Sequence, residues 1–152
     1  MQDYHALCNL VSKFFAAVDR LDWPQVCSLM AETVRLDYRS LTGQPAELLR
    51  PQQITEAWGM MMPNYDAIHH QIGNLIVEVE GDEATVSCHG MASHFIKGTS
   101  GSGHQLIVGT YTFRLVRQDK VWRIEEMTFH FKFAAGDHTV GEEAKARSSG
   151  VS

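Results

Sequence analysis

Apolar residues recur early in the chain at steps of three and four: Leu7, Leu10, Val11, Phe14 and Val18. That spacing puts one apolar stripe on a helix running from Asp3 to Leu21. Asp22-Trp23-Pro24 then restarts the chain. Asp22 is suited to cap a second helix and Pro24 to occupy its first turn, with the helix continuing through Met30. The period changes at Thr33 to Tyr38, where Val34, Leu36 and Tyr38 alternate with Arg35 and Asp37. Strict alternation predicts a half-buried strand. Thr42 to Pro51, with Gly43, Pro45 and Pro51, reads as a loop. A third helix is predicted from Pro51 through Met62, with Ile54, Trp58 and Met61 or Met62 on one face and Pro63-Asn64 ending it.

The second half reads as β. Ala67 to Glu80 is rich in Ile and Val, and Glu80-Gly81-Asp82 turns it into Glu83 to Ile96. Lys97 to Gly103 is a glycine-serine loop, His104 to Arg117 a long strand, and Gln118-Asp119-Lys120 a turn into Val121 to Phe133. The polar segment from Gly136 to Ser152 lacks a sustained apolar stripe and is expected to be mobile or loosely docked. The chain therefore divides into one domain, residues 1–135, and a polar C-terminal tail, residues 136–152. Helices followed by long strands define an α+β class. Strands longer than the usual five or six residues twist and curl. The expected architecture is a curved antiparallel β-sheet packed against three N-terminal helices, a cone enclosing a cavity.

Composition narrows the function. The 152 residues are 44% hydrophobic and 20% charged, a normal globular balance. The net charge of −5 leaves no electrostatic footprint for nucleic acid. No apolar run is long enough to cross a membrane. The N-terminal residues lack a basic segment followed by an apolar run, so no secretory leader is expected. Cys8, Cys27 and Cys88 are far apart and suit neither a zinc site nor a disulfide framework. They are expected to be reduced thiols in a cytoplasmic protein, and no metal or cofactor is expected.

Eight histidines remain to be explained. Strand parity separates them. His94 falls at the end of the row Ala84, Val86, Cys88, Gly90 and Ala92, and His70 shares a face with Ile68, Ile72 and Ile76. His69 and His89 take the opposite faces and are expected to be exposed. Tyr38 follows Val34 and Leu36 inward, and Asp19 lies one helical turn after Phe15. Two histidines, a carboxylate and a phenol around one apolar cavity form an acid–base set. Imidazole exchanges protons near neutral pH, a carboxylate beside it fixes the tautomer, and a tyrosine hydroxyl stabilises a developing enolate.

The segments Val18-Asp19-Arg20-Leu21-Asp22-Trp23, Val34-Arg35-Leu36-Asp37-Tyr38-Arg39-Ser40, His70-Gln71-Ile72-Gly73-Asn74, His89 to His94 and Lys120-Val121-Trp122-Arg123-Ile124 together resemble the SnoaL-like branch of the NTF2-like (cystatin-like) superfamily, and within it the scytalone dehydratases. The likeness runs from about Leu7 to Phe133. It implies catalytic roles for Asp19, Tyr38, His70 and His94, with His70 as principal acid–base group and Asp19 paired to His94. It also implies a C-terminal segment that covers the pocket. Val18 and Tyr111 stand where that family has a tyrosine and an asparagine, so the substrate contacts differ. The pocket is expected to be lined by Val18, Trp58, Met62, Tyr111, Phe129 and Phe131.

The resulting expectation is a cofactor-independent lyase, isomerase or polyketide cyclase. Its substrate would be a small cyclic ketone, phenol or polyketide-like compound. A non-catalytic binding or dimerisation domain and a dioxygenase small subunit are the alternatives, and the first of these would place Asp19 beyond hydrogen-bond reach of His94. The partner is expected to be a small hydrophobic or aromatic ligand. Homodimers or homotrimers are expected through the open sheet face, with Leu75, Val77 and Val79 offered there.

Overall fold

The computed structural model describes residues 2–150. Helix α1 (Gln2–Asp19) buries Leu7, Leu10, Val11, Phe14 and Val18, the stripe read from its spacing. Its first turn is pinned to the sheet. The Asp3 carboxylate accepts the Trp122 indole N–H at 3.0 Å and pairs with Arg117 at 2.9 Å. Helix α2 (Trp23–Ser28) begins as expected, with the Gln25 N–H donating to the Asp22 side chain at 3.2 Å and Pro24 in the first turn.

Strand β1 (Met30–Asp37) is followed by a one-turn helix, α3 (Arg39–Thr42), and a three-residue strand, β2 (Glu47–Leu49). Within the predicted loop these two elements take up Thr42 and Glu47–Leu49. Both are too short to leave a periodic signal. Helix α4 (Pro51–Met61) runs into a 3-10 turn at Met62–Asn64. Strands β3 (Ala67–Glu80), β4 (Glu83–Phe95), β5 (His104–Gln118) and β6 (Val121–Gly136) and helix α5 (Val140–Ser148) complete the chain. The sheet order is β2-β1-β6-β5-β4-β3. Every pair is antiparallel except β1 with β6, which run parallel.

The inward row of β4 is as parity predicted, and Ala84, Val86, Cys88, Gly90 and Ala92 are all buried. Burial raises the Cys88 thiol pKa to about 11, which keeps it protonated and inert. Two glycines shape the concave face. A Cβ at Gly90 would collide with the Tyr111 ring, and one at Gly109 with the Phe129 ring. Both aromatic rings therefore lie close over the strands.

Strand β3 departs from simple parity. Gly73 pairs with His89 but Ile76 pairs with Ser87, so one extra residue bulges out. Asn74 takes the left-handed φ of 53° at this point. The bulge reverses the faces beyond it. Ile76, expected inward with His70, is 62% exposed, while Leu75 and Val77 pack on the core. Leu75 and Val77 are therefore not available to an external partner.

The C-terminal tail, expected to be mobile or loosely docked, is held. Val140 and Ala144 are fully buried with Ile96, and Tyr65 packs against them. Arg147 donates to the Asn64 carbonyl at 3.1 Å and pairs with Asp66 at 3.4 Å. Asp137 accepts the Gly103 and Thr139 N–H groups, each at 3.0 Å, tying the glycine-serine loop to the base of α5. Two apolar residues one turn apart are too short a stripe to register in sequence, yet they suffice once a hydrophobic notch is waiting.

Candidate active site

The concave face of the sheet and helices α1 and α4 enclose a cavity of about 410 Å³. Its wall includes Tyr38, His70 and His94 and the expected pocket residues Val18, Trp58, Met62, Tyr111 and Phe129. Phe131 is the exception. The cavity ends at Phe129, and Phe131 stands outside it, 36% exposed. Ser40 marks the boundary, because its hydroxyl donates to the Phe129 carbonyl at 2.7 Å and accepts the Phe131 N–H at 2.9 Å. Strand β6 slips register against β5 just beyond Phe131, where Gly109 pairs with Phe131 but Val108 with Phe133.

Asp19 sits at the C-terminal end of α1, behind the cavity wall rather than on it. One carboxylate oxygen lies 2.6 Å from His70 Nδ1, and the other accepts the His70 backbone N–H at 2.9 Å. This corrects the expected pairing, since Asp19 binds His70 and not His94. The reason is topological. β3 is the last strand of the sheet, so the His70 N–H has no neighbouring strand to receive it and the carboxylate meets two donors on one residue. His94 belongs to the next strand in. His69 approaches Asp19 only to 3.9 Å and is solvent-exposed. The His70 side chain is 10% exposed, and its ring packs on Phe15 with centroids 5.2 Å apart.

A carboxylate at 2.6 Å from Nδ1 places the proton on that nitrogen and leaves the Nε2 lone pair free. His70 is thus held in one orientation by a carboxylate that does not itself line the cavity. His94 is different. Its Nδ1 is buried with no hydrogen-bond partner, and its ring lies 4.9 Å from that of Tyr65. Burial, helped by the nearby His70, lowers its pKa to about 4, so it is neutral at pH 7. Burial also raises the Tyr38 hydroxyl pKa well above its ordinary range, and the same cause acts on Tyr111. Both hydroxyls remain protonated donors at neutral pH.

Sequence reading missed one wall. Leu41, Thr42, Gln44, Pro45, Glu47 and Leu49 cover the cavity mouth from the α3–β2 segment. The proline and glycine there mark a loop but do not say what it covers. Of the methionine run, Met60 and Met61 are largely exposed and only Met62 reaches the cavity. Among the described residues no three His, Cys, Asp or Glu side chains converge as metal ligands. No helix among them is long and apolar enough to cross a membrane.

Solved structures with this fold are numerous. The protein Kfla4162 from Kribbella flavida superposes with a TM-score of 0.86 at 21% identity, over 95% of this chain and 98% of that one. A hexachlorocyclohexane dehydrochlorinase, LinA type 2, gives 0.76 at 17% identity over 90% of this chain and 89% of its own. A candidate scytalone dehydratase from Novosphingobium aromaticivorans gives 0.73 at 15% identity over 90% and 88%. At these identities the likeness is one of fold. No curated protein matches the sequence. The family model for the SnoaL-like domain matches residues 1–128, and this chain belongs to that family.

Proposed function

We propose that this protein is a cofactor-independent acid–base enzyme, a dehydratase, isomerase or cyclase. Its substrate would be a small cyclic ketone, phenol or polyketide-like compound. The observation that carries this reading is the 2.6 Å contact of Asp19 with His70 Nδ1 at the wall of an apolar cavity. In the proposed step the C–H bond next to a carbonyl breaks and its proton passes to His70 Nε2. The electron pair forms the enolate, whose oxygen is stabilised by a protonated donor such as Tyr38. Loss of a β-hydroxyl as water, taking a proton from the imidazolium, completes a dehydration. Reprotonation at another carbon gives an isomerisation, and attack of the enolate on a second carbonyl gives a cyclisation. Proteins named as a dehydratase and a dehydrochlorinase share the fold, which supports an elimination.

One observation favours a non-catalytic binding domain: Asp19 holds His70 and leaves His94 without a carboxylate partner. Solvent exchange separates the two readings. With 1-tetralone in D₂O, an enzyme exchanges the protons beside the carbonyl above background, and His70→Ala abolishes the excess. A pure binder takes up the ketone without exchange. We also propose self-association through the outer sheet face, now on Ile76 and Met91, both exposed there, in place of Leu75 and Val77. Light scattering reads the expected dimer or trimer, and a monomer at micromolar concentration refutes it.

A further inference from the structure

We propose that His94 is a neutral N–H donor, its proton held on Nε2, which polarises the carbonyl oxygen of an uncharged ring ketone. This extends the reading of His70 as base, and it assigns His94 a role other than proton transfer. The first ground is the orphaned Nδ1, which is sealed from solvent without a partner. A neutral imidazole has one N–H and one lone pair. Placing the proton on Nδ1 would bury a donor with no acceptor, a more costly arrangement than leaving a bare lone pair there. The proton therefore belongs on the nitrogen that a ligand in the cavity can reach.

The second ground is the contrast with His70, whose Nδ1 is committed to Asp19. The two imidazoles then present opposite faces of the same chemistry to one cavity, a lone pair from His70 and an N–H from His94. No side chain within hydrogen-bond distance supplies His94 Nδ1 with a carboxylate. Protonating the ring would put an unpaired charge in an apolar wall, which burial resists, and its lowered pKa of about 4 agrees. The third ground is the lining itself. It contains no Lys or Arg, and its only carboxylate is Glu47 at the mouth. Nothing there balances a ligand carboxylate or phosphate, so the ligand class is uncharged, with one carbonyl oxygen directed at His94 and an acidic C–H near His70.

The proton position is measured directly by long-range ¹H–¹⁵N correlation of the histidine rings at pH 7. The expected spectrum has His94 Nε2 protonated and Nδ1 bare, with the reverse at His70. A protonated Nδ1 at His94, or an imidazolium, overturns the proposal. Binding is read from Trp58 fluorescence, with Trp58→Phe as the blank, using 1-tetralone, the hydrocarbon tetralin and 1-naphthoate. His94→Phe is expected to weaken 1-tetralone by about tenfold or more and to leave tetralin within about twofold, with part of the loss restored in His94→Gln, which offers an amide N–H. Equal losses for ketone and hydrocarbon, or naphthoate binding as tightly as 1-tetralone, refute it. Ketone binding that needs His94 but brings no solvent exchange refutes the enzymatic reading and leaves this one standing. Exchange that needs His70 but is unchanged in His94→Phe does the opposite.

Discussion

Replacing Asp19 with asparagine exchanges one carboxylate oxygen for an amide NH₂ and isolates what the carboxylate contributes. In the native site its two oxygens accept from His70 Nδ1 at 2.6 Å and from the His70 backbone N–H at 2.9 Å. An asparagine has only one accepting oxygen. If that oxygen faces the backbone N–H, the amide NH₂ faces Nδ1, which must then become the acceptor. The ring proton moves to Nε2 and the base is lost. If the oxygen faces Nδ1 instead, the NH₂ meets the backbone N–H donor to donor. A wrong imidazole tautomer costs about 10⁴ in rate where a comparable Asp-to-Asn change has been made in a serine protease triad. That corresponds to about 5 kcal/mol at ~1.4 kcal/mol per decade. A loss of about 10³ or more is expected here. The fold should weaken by only about 1–3 kcal/mol, the cost of one unsatisfied buried group. The assay is proton exchange of 1-tetralone in D₂O by NMR, alongside urea unfolding on the same samples. Exchange within about threefold of the native rate, in a variant shown to be folded, would refute the dyad as the source of the base.

Three further outcomes follow from the geometry. His94 is neutral in the fold with its pKa near 4 but titrates near its ordinary 6.5 once unfolded, so the unfolded chain binds the extra proton first. Stability falls between pH 6.5 and 4, by up to about 3 kcal/mol from this group, and His94→Phe should remove that part in urea titrations at pH 6.5 and 4.5. Gly90→Ala drives a methyl into the Tyr111 ring and should cost about 1–3 kcal/mol in thermal unfolding while loosening ligands from the cavity. Val140→Asp puts an unpaired charge into the notch holding α5, and hydrogen exchange should accelerate at residues 62–66 and at Ile96 while the α1 core stays protected.

The local patterns carried far. The stripe on α1, the Asp22–Pro24 start of α2 and the alternation of β4 are each set by neighbours within a few residues, where burial forces a period of 3.6 or 2. That is why His70, His94 and Tyr38 are legible as inward-facing from the sequence. Three things were not local. The Asn74 bulge adds one residue and reverses the faces beyond it, and only pairing with β4 reveals the count. The docking of Val140 and Ala144 depends on a notch formed by Ile96 and Tyr65, far away in the chain. The partner of Asp19 was decided by which strand ends the sheet, since the free N–H of an edge strand and the ring of His70 together offer two donors that His94, one strand further in, does not. Periodicity tells a side chain which face to take, and the choice of partner across that face belongs to the tertiary structure.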